Sequence, residues 1–183
     1  MDRRQDWENL ARALAVDSIR SSTAAGSGHP TSSLSAAHLL AVLYDGHLRL
    51  DVSDPASEAN DRFVLSKGHA SPLMFSVLKA IGAIDDDMLL SFRKMGSPIQ
   101  GHPVPVPGMP WIDVATGSLG QGLPIAVGMA LALQIDGAPG RVWTLMGDSE
   151  VAEGSVWEAM AVASNLRLSN LIGIIDMNRL GQR

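Results

Sequence analysis

Gly147-Asp148-Ser149 follows a short apolar run at 142–146, and Asn178 stands two residues beyond a second apolar run at 171–176. If both runs are strands of one parallel sheet, Asp148 and Asn178 leave neighbouring strand ends, because the step of 30 positions from one to the other spans one strand–helix–strand unit. Ligands of open α/β sheets collect at the carboxyl ends of the strands. A carboxylate and an amide oxygen at that place suit a hard cation that takes six oxygens. The main-chain carbonyl of Leu180 offers a third ligand; two oxygens of an anion such as a diphosphate, with one water, complete the octahedron. The amides around Ser149 and Glu150 precede a helix expected from Val151, and a helix N-terminus favours an anion. Alone, Gly-Asp-Ser reads as an ordinary strand-to-helix turn with Asp as cap. The Asn at the matching strand end argues for the metal site.

Three of the five histidines, His29, His69 and His102, stand in Gly-His-Pro or Gly-His-Ala contexts. Glycine lets the backbone approach a ligand closely, and imidazoles titrate near working pH. His38 and His47 fall within or near the end of a helical pattern and read as structural or surface residues. Lys67, two residues before His69, reads equally as a group that holds polar cofactor atoms and as a structural or solvated lysine.

The elements that must carry these residues follow from periodicity. Leu10, Leu14 and Ile19 put a helix over 8–23; Ser32 or Ser33 caps a second helix through Leu43. A short strand covers 62–66 and a helix 69–81, with Pro72 tolerated in its first turn. Five prolines make 96–110 a loop, and a loop of that length usually has a job. Residues 120–134 form a small-residue helix, 142–146 and 171–176 buried strands, and 151–165 a helix between them. Unbroken apolar strands separated by helices give an α/β class, a parallel sheet with helices on both faces. A strand of central type one loop before Arg183 leads us to expect the front part of a longer domain.

The chain has 183 residues, about one domain's worth, with 14 Lys and Arg against 19 Asp and Glu. The formal charge of -5 argues against a nucleic-acid binder. Cysteine is absent, so thiolate chemistry and disulfides are excluded. No apolar run has the length of a membrane helix, and the charged N-terminus leads into no signal-peptide core, so a cytoplasmic protein is expected.

Gly147-Asp148 followed by Asn178 resembles the thiamine diphosphate binding motif. The blocks Gly28-His29-Pro30-Thr31, Leu65-Ser66-Lys67-Gly68-His69-Ala70, Ala115-Thr116-Gly117-Ser118-Leu119-Gly120-Gln121-Gly122, Glu153-Gly154-Ser155-Val156-Trp157-Glu158-Ala159 and Asn178-Arg179-Leu180-Gly181-Gln182 resemble transketolase, in that family's order along the whole chain. The resemblance implies a single diphosphate-binding domain over 1–183 that binds thiamine diphosphate and Mg²⁺, with Ca²⁺ or Mn²⁺ able to substitute. It implies transfer of a two-carbon ketol unit from a ketose phosphate to an aldose phosphate. It gives His29, His69 and His102 catalytic roles on the sugar, and the metal to Asp148, Asn178 and the Leu180 carbonyl. Cofactor contacts fall to Ser32, Lys67, His69, Gly117, Leu119, Asp148, Ser149, Glu153, Asn178 and Gln182. On periodicity alone Leu119 is a core residue. Glu153 reads as a helix cap or, by resemblance, as a group near a subunit boundary. Ser149 stands where the family more often has Gly, at small expected cost.

The resemblance also implies parts that these residues do not match: a pyrimidine-binding domain with its glutamate, a later histidine and the phosphate-binding arginines of an acceptor site. The expected partner is therefore a pyrimidine-binding domain, from a second subunit or from further chain, in a dimer or heterotetramer. The alternatives are another thiamine diphosphate enzyme, such as a deoxyxylulose phosphate synthase or a dehydrogenase component, and a non-catalytic cofactor-binding or assembly subunit.

Overall fold

The computed structural model describes residues 3–179. Its centre is a three-stranded parallel sheet, β1 (Arg62–Leu65), β2 (Val142–Gly147) and β3 (Leu171–Asp176), in the order β1-β2-β3. Arg62 lies opposite Val142, and Val142 opposite Leu171, so the carboxyl ends of the strands finish close together. Alternation along each strand splits the apolar side chains between two layers. Phe63, Leu65, Trp143, Leu145, Ile172 and Ile174 join one core. Val64, Val142, Met146 and Leu171 join another on the opposite face.

The first face is covered by α1 (Arg3–Ala25), α2 (Pro30–Gly46) and α3 (Ser71–Ala80), the second by α5 (Gly122–Asp136) and α6 (Gly154–Asn165). Helices on both faces are as the sequence implies. The buried positions of α1 (Ala11, Leu14, Ser18, Ser21, Ser22) recur at helical spacing, and those of α2 do the same. Buried Gly122, Ala126 and Ala130 keep α5 close to the sheet, with Gly122 so near Ser66 that a side chain has no room. At the amino end of the sheet, Asp61 accepts from Arg49, Arg141 and Trp143. Burial alone would raise its pKa; the hydrogen bonds from Arg141 and Trp143 outweigh that and hold it at about 2.

Several local expectations are corrected. α2 begins at Pro30 with His29 at its N-cap and no side-chain cap, not with Ser32 or Ser33 capping. Proline needs no N–H partner and has its φ preset, which makes it the better first residue. α6 starts at Gly154, because Glu153 is extended and separates the helix from a 3₁₀ turn over Ser149–Ala152. A short helix, α4 (Asp86–Leu90), was not expected; Asp85 caps it by accepting from Met88 N at 2.8 Å. The third strand is not buried: Ile175 is 38% exposed, and among the described residues β3 pairs only with β2. No helix of the described residues is long and apolar enough to cross a membrane.

Candidate functional site

All three strands deliver a polar residue at the same end. Lys67 and His69 follow β1, Asp148 follows β2, and Asn178 follows β3, while α2 starts beside them at His29. The His29 and His69 rings meet edge to face with centroids 5.4 Å apart. Burial first, then the positive charges of His29, Lys67 and His102, push His69 down to about 4. Burial, then Arg93 and His29, also lower His102. A side chain at Gly117 would come within 3.3 Å of the His102 ring. The structure therefore brings together the three histidines selected from the sequence, together with Gly117. His38 and His47 are exposed on the surface, as expected.

Asp148 and Asn178 lie just past the ends of the neighbouring strands β2 and β3. One Asp148 oxygen accepts from Ser149 N at 2.9 Å, the other from Arg179 N at 2.8 Å, and Asp148 N donates to Asp176 O at 3.2 Å. Asn178 donates its Nδ2 to Ser35 Oγ at 3.5 Å. The donor set is a carboxylate and an amide, hard oxygens of the kind Mg²⁺ takes, and a cation of that class fits it. Among the described residues no group of three or more His, Asp or Glu is placed to hold a metal ion. Leu180 and Gln182 lie outside the described residues.

The other residues singled out in the sequence lie around this end of the sheet. Lys67 is buried, its side chain 2% exposed. Its Nζ donates to Asp176 Oδ2 at 2.5 Å, to Ser32 O at 3.0 Å and to Ser35 Oγ at 3.3 Å, which takes up its three protons. Ser32 thus contributes its main-chain carbonyl to this ion pair. Leu119 is exposed rather than in the core. The Ser149 amide, expected to face an anion, is engaged by Asp148. Glu153 sits at the N-cap of α6 without a side-chain cap bond and is exposed, as is Glu158.

Three functional candidates escaped the sequence reading. Asp176 and Ser35 hold Lys67, and Ser35 Oγ also donates to Asp176 Oδ2 at 2.6 Å. An acid that ends an apolar strand was the available signal for Asp176; Ser35 gave none. The third is Arg93, which with Lys94, Ser97, Gln100 and His102 lines an open cleft of about 530 Å³. Its guanidinium donates to Ser27 Oγ at 2.7 Å, and its backbone has φ 59°. The cleft gives the histidine cluster a cationic flank.

Comparison with known proteins agrees with this geometry. Residues 3–182 match the family described as transketolase, thiamine diphosphate binding domain. The chain is 51% identical to the transketolase of Homo sapiens over 179 residues, 97% of this chain and 28% of that protein. It is 38% identical to the 6-deoxy-6-sulfo-D-fructose transketolase subunit SqwG of Clostridium sp. (strain MSTE9), over 96% of this chain and 62% of that subunit. The crystal structure of transketolase from Campylobacter jejuni superposes with a TM-score of 0.89 at 34% identity, covering 97% of this chain and 29% of that one. The chain thus spans little more than a quarter of the length of the full transketolases and under two thirds of the subunit. With a matching family over nearly its whole length, this chain belongs to the transketolase family, in its thiamine diphosphate binding domain.

Proposed function

We propose that this chain, as one diphosphate-binding domain over 1–183, supplies the diphosphate and Mg²⁺ grip of an enzyme that moves a two-carbon ketol unit from a ketose phosphate to an aldose phosphate. The observation that carries the reading is the convergence of His29, His69 and His102 at the strand ends that also bear Asp148 and Asn178. Thiamine diphosphate, when bound, supplies the carbon nucleophile and electron sink for making and breaking a bond beside a carbonyl. Asp148, Asn178 and the Leu180 carbonyl hold the metal, and Gly117, Leu119, Ser149, Glu153 and Gln182 border the cofactor.

His69, with a pKa of about 4, is neutral at pH 7. It offers one N–H and one lone pair, which suits sugar hydroxyls and a carbonyl oxygen better than a fixed cation would. His29 and His102 complete that lining. Arg93 and Lys94 give the cleft beside His102 the charge to meet a sugar phosphate. Turnover needs a pyrimidine-binding domain from a second subunit or from further chain, in a cytoplasmic dimer or heterotetramer. The similarity to a protein named as a subunit supports a second chain as one such source, and the similarity to long single chains supports further chain as the other.

The test is native mass spectrometry of the assembled protein with thiamine diphosphate and Mg²⁺, followed by a product assay on xylulose phosphate with ribose phosphate. We expect cofactor in a complex larger than one chain, and ketol transfer by that complex. Asp148→Ala abolishes Mg²⁺-dependent cofactor binding in the same complex; tight binding by that variant would sink the metal assignment. Cofactor retained without any transfer would make the chain a binding subunit instead.

A further inference from the structure

Glu150 is only 1% exposed. Among the described residues, the other two buried acids, Asp61 and Asp176, are compensated by Arg or Lys. Glu150 is held instead by neutral donors. Its Oε1 accepts from Ser66 Oγ and from Gly120 N at 2.9 Å, and its Oε2 accepts from Gly147 N at 3.1 Å. A carboxylate sunk this deep is costly unless its lone pairs are filled, and each donor lost leaves a buried group unpaired.

The three donors lie within three residues of three parts of the proposed site. Ser66 precedes Lys67 and leads into His69, Gly120 follows Leu119, and Gly147 precedes Asp148. Gly120 is fastened through both of its main-chain groups, since its carbonyl also accepts from Ser155 Oγ at 2.7 Å. It also has φ +81° and no room for a side chain, because a Cβ there would meet Ser155 Oγ at 2.6 Å and Glu153 Cβ at 2.7 Å. The 117–120 loop therefore cannot settle elsewhere without losing both anchors. Glu150 thus bonds β1's exit, this loop and β2's exit at once.

We propose that Glu150 is a positioning residue of the thiamine diphosphate site, its carboxylate fixing the spacing between the Gly117–Leu119 loop and the Asp148 turn. This rests on the functional reading above. Glu150 touches neither metal nor cofactor; it acts through the backbone amides of Gly120 and Gly147. Residues that orient a ligating shell in this way typically change metal affinity by about 10–100-fold when replaced.

The experiment compares the assembled protein with its Glu150→Gln variant, which keeps the shape but turns an NH₂ group onto one of the donors. Thiamine diphosphate affinity in Mg²⁺, read by calorimetry, should fall about 10–100-fold. The Gly120 and Gly147 amides should exchange hydrogen faster in the cofactor-free protein while the other amides of β1–β3 stay protected. Ser66→Ala removes one donor and leaves both backbone bonds, so its loss should be about two- to tenfold. It decides the matter if the Gln variant does not fold. Wild-type affinity in a folded Glu150→Gln or Ser66→Ala protein overturns the proposal. So does loss of exchange protection across the whole sheet, which marks a purely structural group. Failure of the unsubstituted protein to bind the cofactor overturns the functional reading itself, and the role of Glu150 with it.

Discussion

His69 carries its electrostatics in two layers. Burial is the larger cause of its low pKa, and the positive charges of His29, Lys67 and His102 add to it. Replacing His29 with Asn should therefore raise the protonation pH of His69 without returning it to the ordinary 6.5; imidazole NMR across the pH range reads this directly, and no movement would mean that the two rings do not sense each other. The same shift has a stability sign. The unfolded chain binds a proton at His69 near pH 6.5 and the folded one near 4, so stability is lost as pH falls through that window and is unaffected by this group above it. The residue types were legible before the fold was known: a Gly-flanked histidine and an Asp–Asn pair at strand ends advertise themselves. Glu150 and Asp176 did not. A carboxylate beside a loop reads as solvated until the surrounding donors are seen, and burial is not written in a residue's type.

At the scale of elements, the Lys67–Asp176 pair spans the sheet. Lys67 follows β1 and Asp176 ends β3, so the bond crosses the end of the strand between them. Ser32 and Ser35 bring the first turns of α2 into the same contact. Lys67→Met should cost about 3–5 kcal/mol in urea denaturation, because it leaves a buried carboxylate uncompensated. Adding Asp176→Leu should recover much of that loss; a single variant as stable as the parent would show the pair to be dispensable. Periodicity found β2 and β3 to within a residue and placed α1, α2 and α5, because their buried faces recur at regular intervals. It could not find α4, whose five residues are too few for a period, although Asp85 followed by two further acids is a recognisable start. It misjudged β3, since an apolar run records what a strand can bury and not which neighbours lie beside it.

For the molecule as a whole, the decisive fact is that one end of the sheet gathers groups from every layer: β1, β2 and β3 from the centre, α2 from one face, and the loop leading into α5 from the other. A ligand held there ties the layers to each other, so its binding free energy should appear as global stability rather than local ordering. With thiamine diphosphate and Mg²⁺ at about 100 times the dissociation constant, linkage predicts about 2.7 kcal/mol of stabilisation. For a domain of this size each kcal/mol raises the melting temperature by about 2–4 °C. On the proposed reading the donor set at Asp148 and Asn178 would meet the diphosphate through the cation, so the shift should need both components. EDTA should therefore return the transition to that of the cofactor-free protein, and Asp148→Ala should show no shift at any concentration tested. A full shift that survives EDTA would place the cofactor's grip on the protein's own amides and remove the metal from the site.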